Sequence, residues 1–309
     1  MDMARVGIIG SGNVGANTAF FIAENRTASV TLVDIKEGLS VGKALDILEA
    51  GPIRRYDTEI RGENSIDAIR DSDVVVISAG KVRAPDQSRD ELYRDNAPLI
   101  AKICADVQRL APAALVINVV EPVDMITLLM QDCLGFDRRR VLGVGGLLSS
   151  TRLRHLISQA LGVSSREVTG MVIGPHRRTM VVLRDTIRVS GIPADKLLPP
   201  EKVDAILEEV SRAGDTILQL AQRSTSYYAP SAAVAALVEA IVRDTKTVMP
   251  VSIRLEGEYG LSGIAVSVPA RIGKGGVDEI VSVAMSSGEK TAFLAAADEL
   301  RASLARVTG

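Results

Sequence analysis

The sequence predicts an α/β protein in two parts, an open parallel sheet with its helices followed by an α+β half. Three observations carry this. Short β-branched runs alternate with helical stretches through the first 144 residues, the pattern of βαβ units. The first run ends in a glycine-rich turn that opens a helix. After residue 145 the alternation gives way to paired strands and long helices, with no repeat, low-complexity linker or long charge run. Two closely packed units, 1–144 and 145–309, follow from that change of pattern.

In order, strand Arg5–Ile9 precedes an apolar helical run from Ala16 to Ala23, and strand Val30–Asp34 precedes a helix around Ser40–Leu48. Asp73–Ser78 is followed by a long helix near Asp95–Leu110. Ala114–Val120 leads to a helix near Asp124–Cys133, and Val141–Val144 closes the parallel series. In the second half Val168–Ile173 and Met180–Val189 read as a hairpin or twisted pair. Leu198–Gln222 and Ser231–Thr245 read as helices, Met249–Glu256 and Ile264–Val268 as strands, and Gly288–Val307 as a terminal amphipathic helix.

The glycine turn reads Arg5-Val-Gly-Ile-Ile-Gly10-Ser-Gly12-Asn-Val-Gly15, a strand running into G-x-G-x-x-G, and Asp34 ends the next strand. Gly10 permits a tight turn, Gly12 close approach of a pyrophosphate, and Gly15 close packing of the helix whose N–H groups face the anion. Asp34 can accept both ribose hydroxyls and repels a 2′-phosphate, so the cofactor expected is NAD. Ligands on such a sheet bind beyond the carboxyl ends of the strands, where Ser78-Ala79-Gly80, Val120-Glu121 and Gly145-Gly146 face one crevice. The unit is therefore expected to be Rossmann-type.

Bulk properties exclude other classes. With 47% apolar and 24% charged residues and a net charge of −2, nothing in the balance invites nucleic acid or an anionic membrane. No apolar run approaches the ~20 residues of a membrane span, and the N-terminus enters its first strand too soon for a signal peptide. A cytoplasmic location is expected. Cys104 and Cys133 stand apart in apolar helical stretches and read as buried free thiols. Two histidines and no His/Cys cluster leave no transition-metal site.

Three polar segments carry the chemistry. Gly80–Arg89 places Arg83 and Arg89 six residues apart in a loop containing glycine and proline. It reads as a mobile clamp for a carboxylate or as a solvated basic loop. The helix beginning near Leu147, with Ser149 or Ser150 as N-cap, puts Arg152 in its first turn, where the dipole disfavours a cation unless an anion is held nearby. His155 reads as a surface residue. Gly174-Pro-His176-Arg-Arg-Thr179 interrupts two apolar strands, and His176 is either a proton donor and acceptor beside a carbonyl or an idle turn histidine.

In this order the segments resemble the lactate/malate dehydrogenase family, especially its lactate-dehydrogenase-like malate dehydrogenases, over nearly the whole chain. Gly42-Lys-Ala-Leu-Asp46, Pro122-Val-Asp124, Tyr227-Tyr-Ala-Pro230, Val248-Met-Pro-Val251, Gly257-Glu-Tyr-Gly260 and Gly273-Lys-Gly-Gly276 match its landmarks. The resemblance implies an NAD-dependent 2-hydroxy-acid dehydrogenase. His176 would transfer the proton, Arg152 clamp the C1 carboxylate and Arg89 polarise the carbonyl. Arg83 would bind the second carboxylate of oxaloacetate, with Ser226 also at the substrate. Asn13, Val14, Ser78, Ala79, Gly80, Asn96 and Val119 would join Gly10, Gly12, Gly15 and Asp34 around NAD. The partner implied is a small 2-oxo or 2-hydroxy acid, in a homodimer or homotetramer with the Ser40–Leu48 helix as a contact.

The centre departs from the family pattern. The asparagine before Pro-Val-Asp is Glu121, the aspartate that orients the histidine is Ser149, and Arg177 and Arg178 replace glycine and aspartate after His176. Either Glu121 supplies the missing carboxylate to His176, or it offsets Arg152 and disfavours the ordinary substrate. Three readings follow: a malate dehydrogenase, a dehydrogenase for a 2-oxo acid with another distal group, or a weakly active or inactive NAD-binding paralogue.

Overall fold

The computed structural model describes residues 3–84, 86–221 and 226–308. Strands β1 (Arg5–Ile9), β2 (Ser29–Val33), β3 (Ile60–Glu63), β4 (Val74–Ile77), β5 (Leu115–Asn118) and β6 (Val141–Gly143) run parallel in the order β3-β2-β1-β4-β5-β6. β4 and β5 are buried residue for residue, as strands covered on both faces must be. The covering helices include α1 (Asn13–Glu24), α2 (Leu39–Arg54), α3 (Arg89–Leu110) and α4 (Val123–Leu134). The strand order reverses between β1 and β4, and this opens a crevice at their carboxyl ends.

The second half joins the same sheet. β10 (Thr247–Glu256) lies antiparallel to β6 through the pair Ser252–Gly143, and β11 (Ser262–Gly273) and β12 (Gly276–Ile280) continue outward to complete nine strands. A second antiparallel sheet holds β7 (Val168–Ile173), β8 (Val181–Val189) and β9 (Ile192–Pro193). α5 (Gly146–Leu161), α6 (Pro200–Ala221) and α8 (Ser287–Thr308) pack around it, while α7 (Tyr228–Val242) packs on α1, α5 and β11. One apolar core runs from Val6 to Leu300 through both halves, and a smaller one sits between α5, β7, β8 and α6.

Several elements differ from the sequence expectation. β3 was not foreseen because only Ile60 of Ile-Arg-Gly-Glu is buried, which is enough for a sheet edge but shows no apolar run. α3 starts at Arg89, earlier than the periodicity indicates, because Ser88 and Glu91 form a reciprocal capping box. α5 starts at Gly146 with Gly145 before it, so neither Ser149 nor Ser150 is its N-cap. Ser150 instead donates to Gly146 O (2.8 Å) and accepts Val172 N–H (2.9 Å), tying α5 to β7. The hairpin strand β12 and the short β9 were also missed. The expected end of α6 at Gln222 lies outside the described residues. Both cysteines are free; Cys104 is buried and Cys133 only half-buried. Among the described residues no helix is long and apolar enough to cross a membrane, and no His/Cys/Asp/Glu group could hold a metal ion.

Candidate active site

The glycine turn is built as its spacing requires. Gly10 has φ +102°, and a Cβ there would lie 2.6 Å from Ala79 N; a Cβ on Gly15 would collide with the Gly10 carbonyl. The β1 and β4 ends are laced together, with Ser78 Oγ donating to Gly10 O (2.9 Å) and Ala79 N–H to Ile9 O (2.9 Å). Gly12 differs: a Cβ there would meet nothing within 4 Å. Gly12 is also the N-cap of α1 and gives no side-chain cap, and the first turn holds no acid. The N–H groups of Asn13, Val14 and Gly15 thus keep their capacity for an anion. Asp34 stands at the lip, where its carboxylate accepts Ser11 N–H (2.8 Å) and Lys36 N–H (2.9 Å). This turn fits a pyrophosphate with a ribose beside Asp34. Asn96 is fully engaged: it accepts Lys81 N–H (2.7 Å) and donates to Lys81 O (3.3 Å) and Glu121 O (2.9 Å), so it holds the loop and Glu121 in place. Val119 N–H donates to Ile77 O (3.2 Å).

Below the turn a cavity of about 210 Å³ gathers the polar segments from both halves. Val14, Ser78, Gly80 and Val119 form its cofactor end, and Ser226 and Pro230 border it. Its lining holds six cationic side chains (Lys81, Arg83, Arg89, Arg152, Arg177, Arg178) against the carboxylates of Glu121 and Asp215, with His176 among them. That balance suits a ligand carrying two or more negative charges. His155 lies outside, exposed on α5.

His176 sits on the turn after β7. Gly174 pairs with Ser267 of β11, whose hydroxyl also accepts Gly146 N–H (2.8 Å). The His176 N–H donates to Asp124 Oδ2 (2.6 Å), and Asp124 Oδ1 accepts from Ser252 (2.7 Å). Burial pushes the Asp124 carboxyl up to about 6, against those two hydrogen bonds. Asp124 was not singled out from sequence beyond its Pro-Val-Asp landmark, since its contacts lie 52 and 128 residues away.

The two ring nitrogens have different partners. Nδ1 meets Ser149 Oγ at 3.2 Å, and Nε2 faces Glu121 Oε1 at 3.4 Å. Glu121 reaches this position because Asn96 holds its carbonyl and its other oxygen accepts Val123 N–H (3.2 Å) at the start of α4. Burial lowers the histidine's affinity for a proton, Glu121 raises it, and Arg152 and Arg89 lower it further. Among the groups acting on the ring, Glu121 is thus the one that favours imidazolium.

The arginines reach the cavity by separate routes. Arg89 is fixed at the first residue of α3 rather than in the loop. Arg152 lies in the second turn of α5, not the first, so the dipole argument for it fails. Its claim rests on burial instead: Nε is buried and has no partner among the described residues, and burial pushes its pKa down. A cation desolvated in this way is made good by a bound carboxylate. Arg83 pairs with Asp215 of α6 (2.9 Å), which also pairs with Arg178 (2.9 Å). Arg177 turns away toward α8 and reaches Ser303 Oγ (3.3 Å). Asp215 carries no signal in the sequence, because 132 residues separate it from Arg83.

Comparison with known proteins agrees with the fold. Residues 4–143 match the family model for the lactate/malate dehydrogenase NAD binding domain, and 147–309 that for the lactate/malate dehydrogenase alpha/beta C-terminal domain. The chain is 37% identical to the malate dehydrogenase of Methanosarcina barkeri over 99% of both chains. Among solved structures it is similar to the malate dehydrogenase of Cryptosporidium parvum (TM-score 0.97, 29% identity, 100% of this chain and 99% of that one). It is equally similar to the lactate dehydrogenase of the same organism, complexed with lactic acid and β-nicotinamide adenine dinucleotide (TM-score 0.96, 31% identity, 100% and 99%).

Proposed function

The chain belongs to the lactate/malate dehydrogenase family, and we propose that it works as an NAD-dependent malate dehydrogenase, interconverting (S)-malate and oxaloacetate. The observation that carries this reading is the convergence of His176, Arg83, Arg89 and Arg152 on one cavity beside the glycine turn. When bound, the nicotinamide supplies or takes up the hydride. Gly10 to Gly15, Asp34 and the Ser78–Gly80 corner would hold the cofactor, and Asp34 would select NAD over its 2′-phosphorylated form.

The desolvated Arg152 would clamp the C1 carboxylate bidentately, Arg89 would polarise the 2-oxo group, and Arg83 would face the distal carboxylate. Protonation of the developing alkoxide falls to His176 Nε2. Glu121, across 3.4 Å from that nitrogen, would supply the negative charge that stabilises imidazolium and, as an acceptor, favour the proton on Nε2, while the Ser149 hydroxyl can pair with Nδ1 in either protonation state. The proton is therefore held on the cavity side of the ring, ready for transfer. The division at 1–144 and 145–309 is read as cofactor and substrate units. A homodimer or homotetramer would use α2, whose Val41, Leu45 and Leu48 are exposed.

The test is NADH oxidation over a panel of 2-oxo acids, with oxaloacetate expected to be turned over fastest. A second reading, a 2-oxo acid with another distal group, draws on Arg178 and Asp215 at the far end of the cavity. It wins if oxaloacetate is inert while another member of the panel is reduced.

A further inference from the structure

Arg83, the residue read above as the partner of the substrate's distal carboxylate, already has a carboxylate. Asp215 Oδ1 lies 2.9 Å from its Nη2, and Asp215 Oδ2 accepts from Arg178 Nε (3.0 Å) and pairs with its Nη2 (2.9 Å). The bridge joins three places in the chain: the loop after β4, the turn that carries His176, and the middle of α6. Its Arg83–Asp215 half is sheltered, those side chains being 23% and 26% exposed, whereas Arg178 stands 64% exposed at the rim. Asp215 lies beside the rest of the substrate machinery too. A Cβ on its neighbour Gly214 would fall 3.5 Å from Arg152 Nη1.

We propose that Asp215 is a specificity-determining residue that stands in for the distal carboxylate, so that it latches the Arg83 loop to α6 and must yield Arg83 before a dicarboxylate binds fully. The proposal rests on the malate reading of the cavity. Like charges cannot share one guanidinium in a confined site without cost, so Asp215 weakens dicarboxylate binding while leaving monocarboxylates unaffected. Arg178 is the counterweight. It holds the other oxygen of Asp215 and gives that carboxylate a place to stay when Arg83 transfers to the ligand. The bridge is firmly ionic: burial raises the Asp215 carboxyl, but the hydrogen bonds from Arg178 and Arg83 outweigh this and hold it below its usual range.

Two substitutions test this with the intact enzyme. Asp215→Asn should lower KM for oxaloacetate about tenfold, equivalent to ~1.4 kcal/mol, and leave KM for pyruvate within about twofold. Arg178→Gln should do the opposite and raise KM for oxaloacetate, since Asp215 then rests on Arg83 alone. The double variant should behave like Asp215→Asn, because without the carboxylate Arg178 has nothing to divert. Hydrogen exchange of the segment between Gly80 and Arg89 should be faster in ligand-free Asp215→Asn than in the parent. If the parent does not reduce oxaloacetate at all, the malate reading fails on its own. The latch is then judged by exchange and by calorimetry with malonate, which should bind more tightly to Asp215→Asn. Unchanged exchange, or an oxaloacetate KM or malonate affinity that is unchanged or worse in Asp215→Asn, overturns the proposal.

Discussion

Replacing Glu121 by asparagine should lower the rate of oxaloacetate reduction by a factor on the order of 10², and adding Ser149→Asp should recover most of it. The magnitude follows from the 3.4 Å separation of Glu121 Oε1 and His176 Nε2. Unit charges at that distance attract by about 5 kcal/mol at an effective dielectric of ~20. Glu121 is 39% exposed, and solvent screening brings the useful part to roughly 3 kcal/mol, or two powers of ten in rate at about 1.4 kcal/mol each. Direction can be checked separately. Reduction needs the protonated ring, and its rate falls as pH rises through the pKa of His176. Loss of Glu121 removes the one group that opposes burial, Arg152 and Arg89, so the falling limb of the profile moves to lower pH. In the double variant a carboxylate stands at Nδ1 and an amide at Nε2, and the limb moves back. Ser149→Asp alone sets two carboxylates around one ring, so the effects are non-additive. The assay is steady-state NADH oxidation against pH for the parent and three variants. A Glu121→Asn enzyme as fast as the parent, with its pH limb in place, would refute the assignment of Glu121 as the partner of His176.

Three further outcomes are expected. Arg83→Gln should erase the preference for oxaloacetate over pyruvate by raising KM for the dicarboxylate alone; a ratio of kcat/KM values that does not move sinks that role for Arg83. NADH should bind at least tenfold more tightly than NADPH, about 1.4 kcal/mol, and Asp34→Ser should narrow the gap. Equal affinity of the parent for both nucleotides counts against Asp34. Asp124, raised from 3.8 to about 6, stays protonated in the folded protein at pH values where the unfolded chain has released its proton. Its contribution to stability is complete below pH 3.8 and is lost as pH rises to about 6, at most ~3 kcal/mol. Asp124→Asn should flatten urea stability over that window, and a parent whose stability rises with pH there, unchanged by the substitution, contradicts the sign.

Five of the six parallel strands, all but the edge strand β3, and the glycine turn were legible because their signals are local. β4 and β5 are short, almost wholly apolar runs that are buried throughout, and Gly10, with its positive φ, and Gly15, packed on the Gly10 carbonyl, meet backbone demands set within the turn. The start of α3 was missed, because its signal is the Ser88–Glu91 capping box and not the apolar periodicity that was followed. The site was legible only in part. His176 and the arginines could be picked out by type and order, yet the sequence left open what Glu121 does, since its distance from His176 depends on how α4 meets the turn after β7. Asp215 could not be found, because an exposed-looking acid in a polar stretch of α6 becomes a partner of Arg83 only once the two halves close on each other.

The departures from the family pattern are correlated in space. Relative to that pattern the negative charge has moved from the Nδ1 side of His176, now Ser149, to the Nε2 side, now Glu121, which faces the incoming anion. Taken alone that move repels a dicarboxylate. The turn after the histidine shifts the other way: Arg178, where the pattern has aspartate, adds positive charge at the cavity, while Arg177, where it has glycine, reaches toward α8. Asp215 then absorbs part of that excess by bridging Arg178 to Arg83. The four changes thus keep the cavity cationic while altering where its carboxylates sit. A centre that had simply decayed would lose its charges independently, leaving buried cations without compensation at a cost of several kcal/mol. Here Glu121 remains within reach of Arg152 and His176. Among the described residues Arg152 alone keeps a buried side-chain nitrogen without a partner, and it is the residue proposed above to clamp the C1 carboxylate.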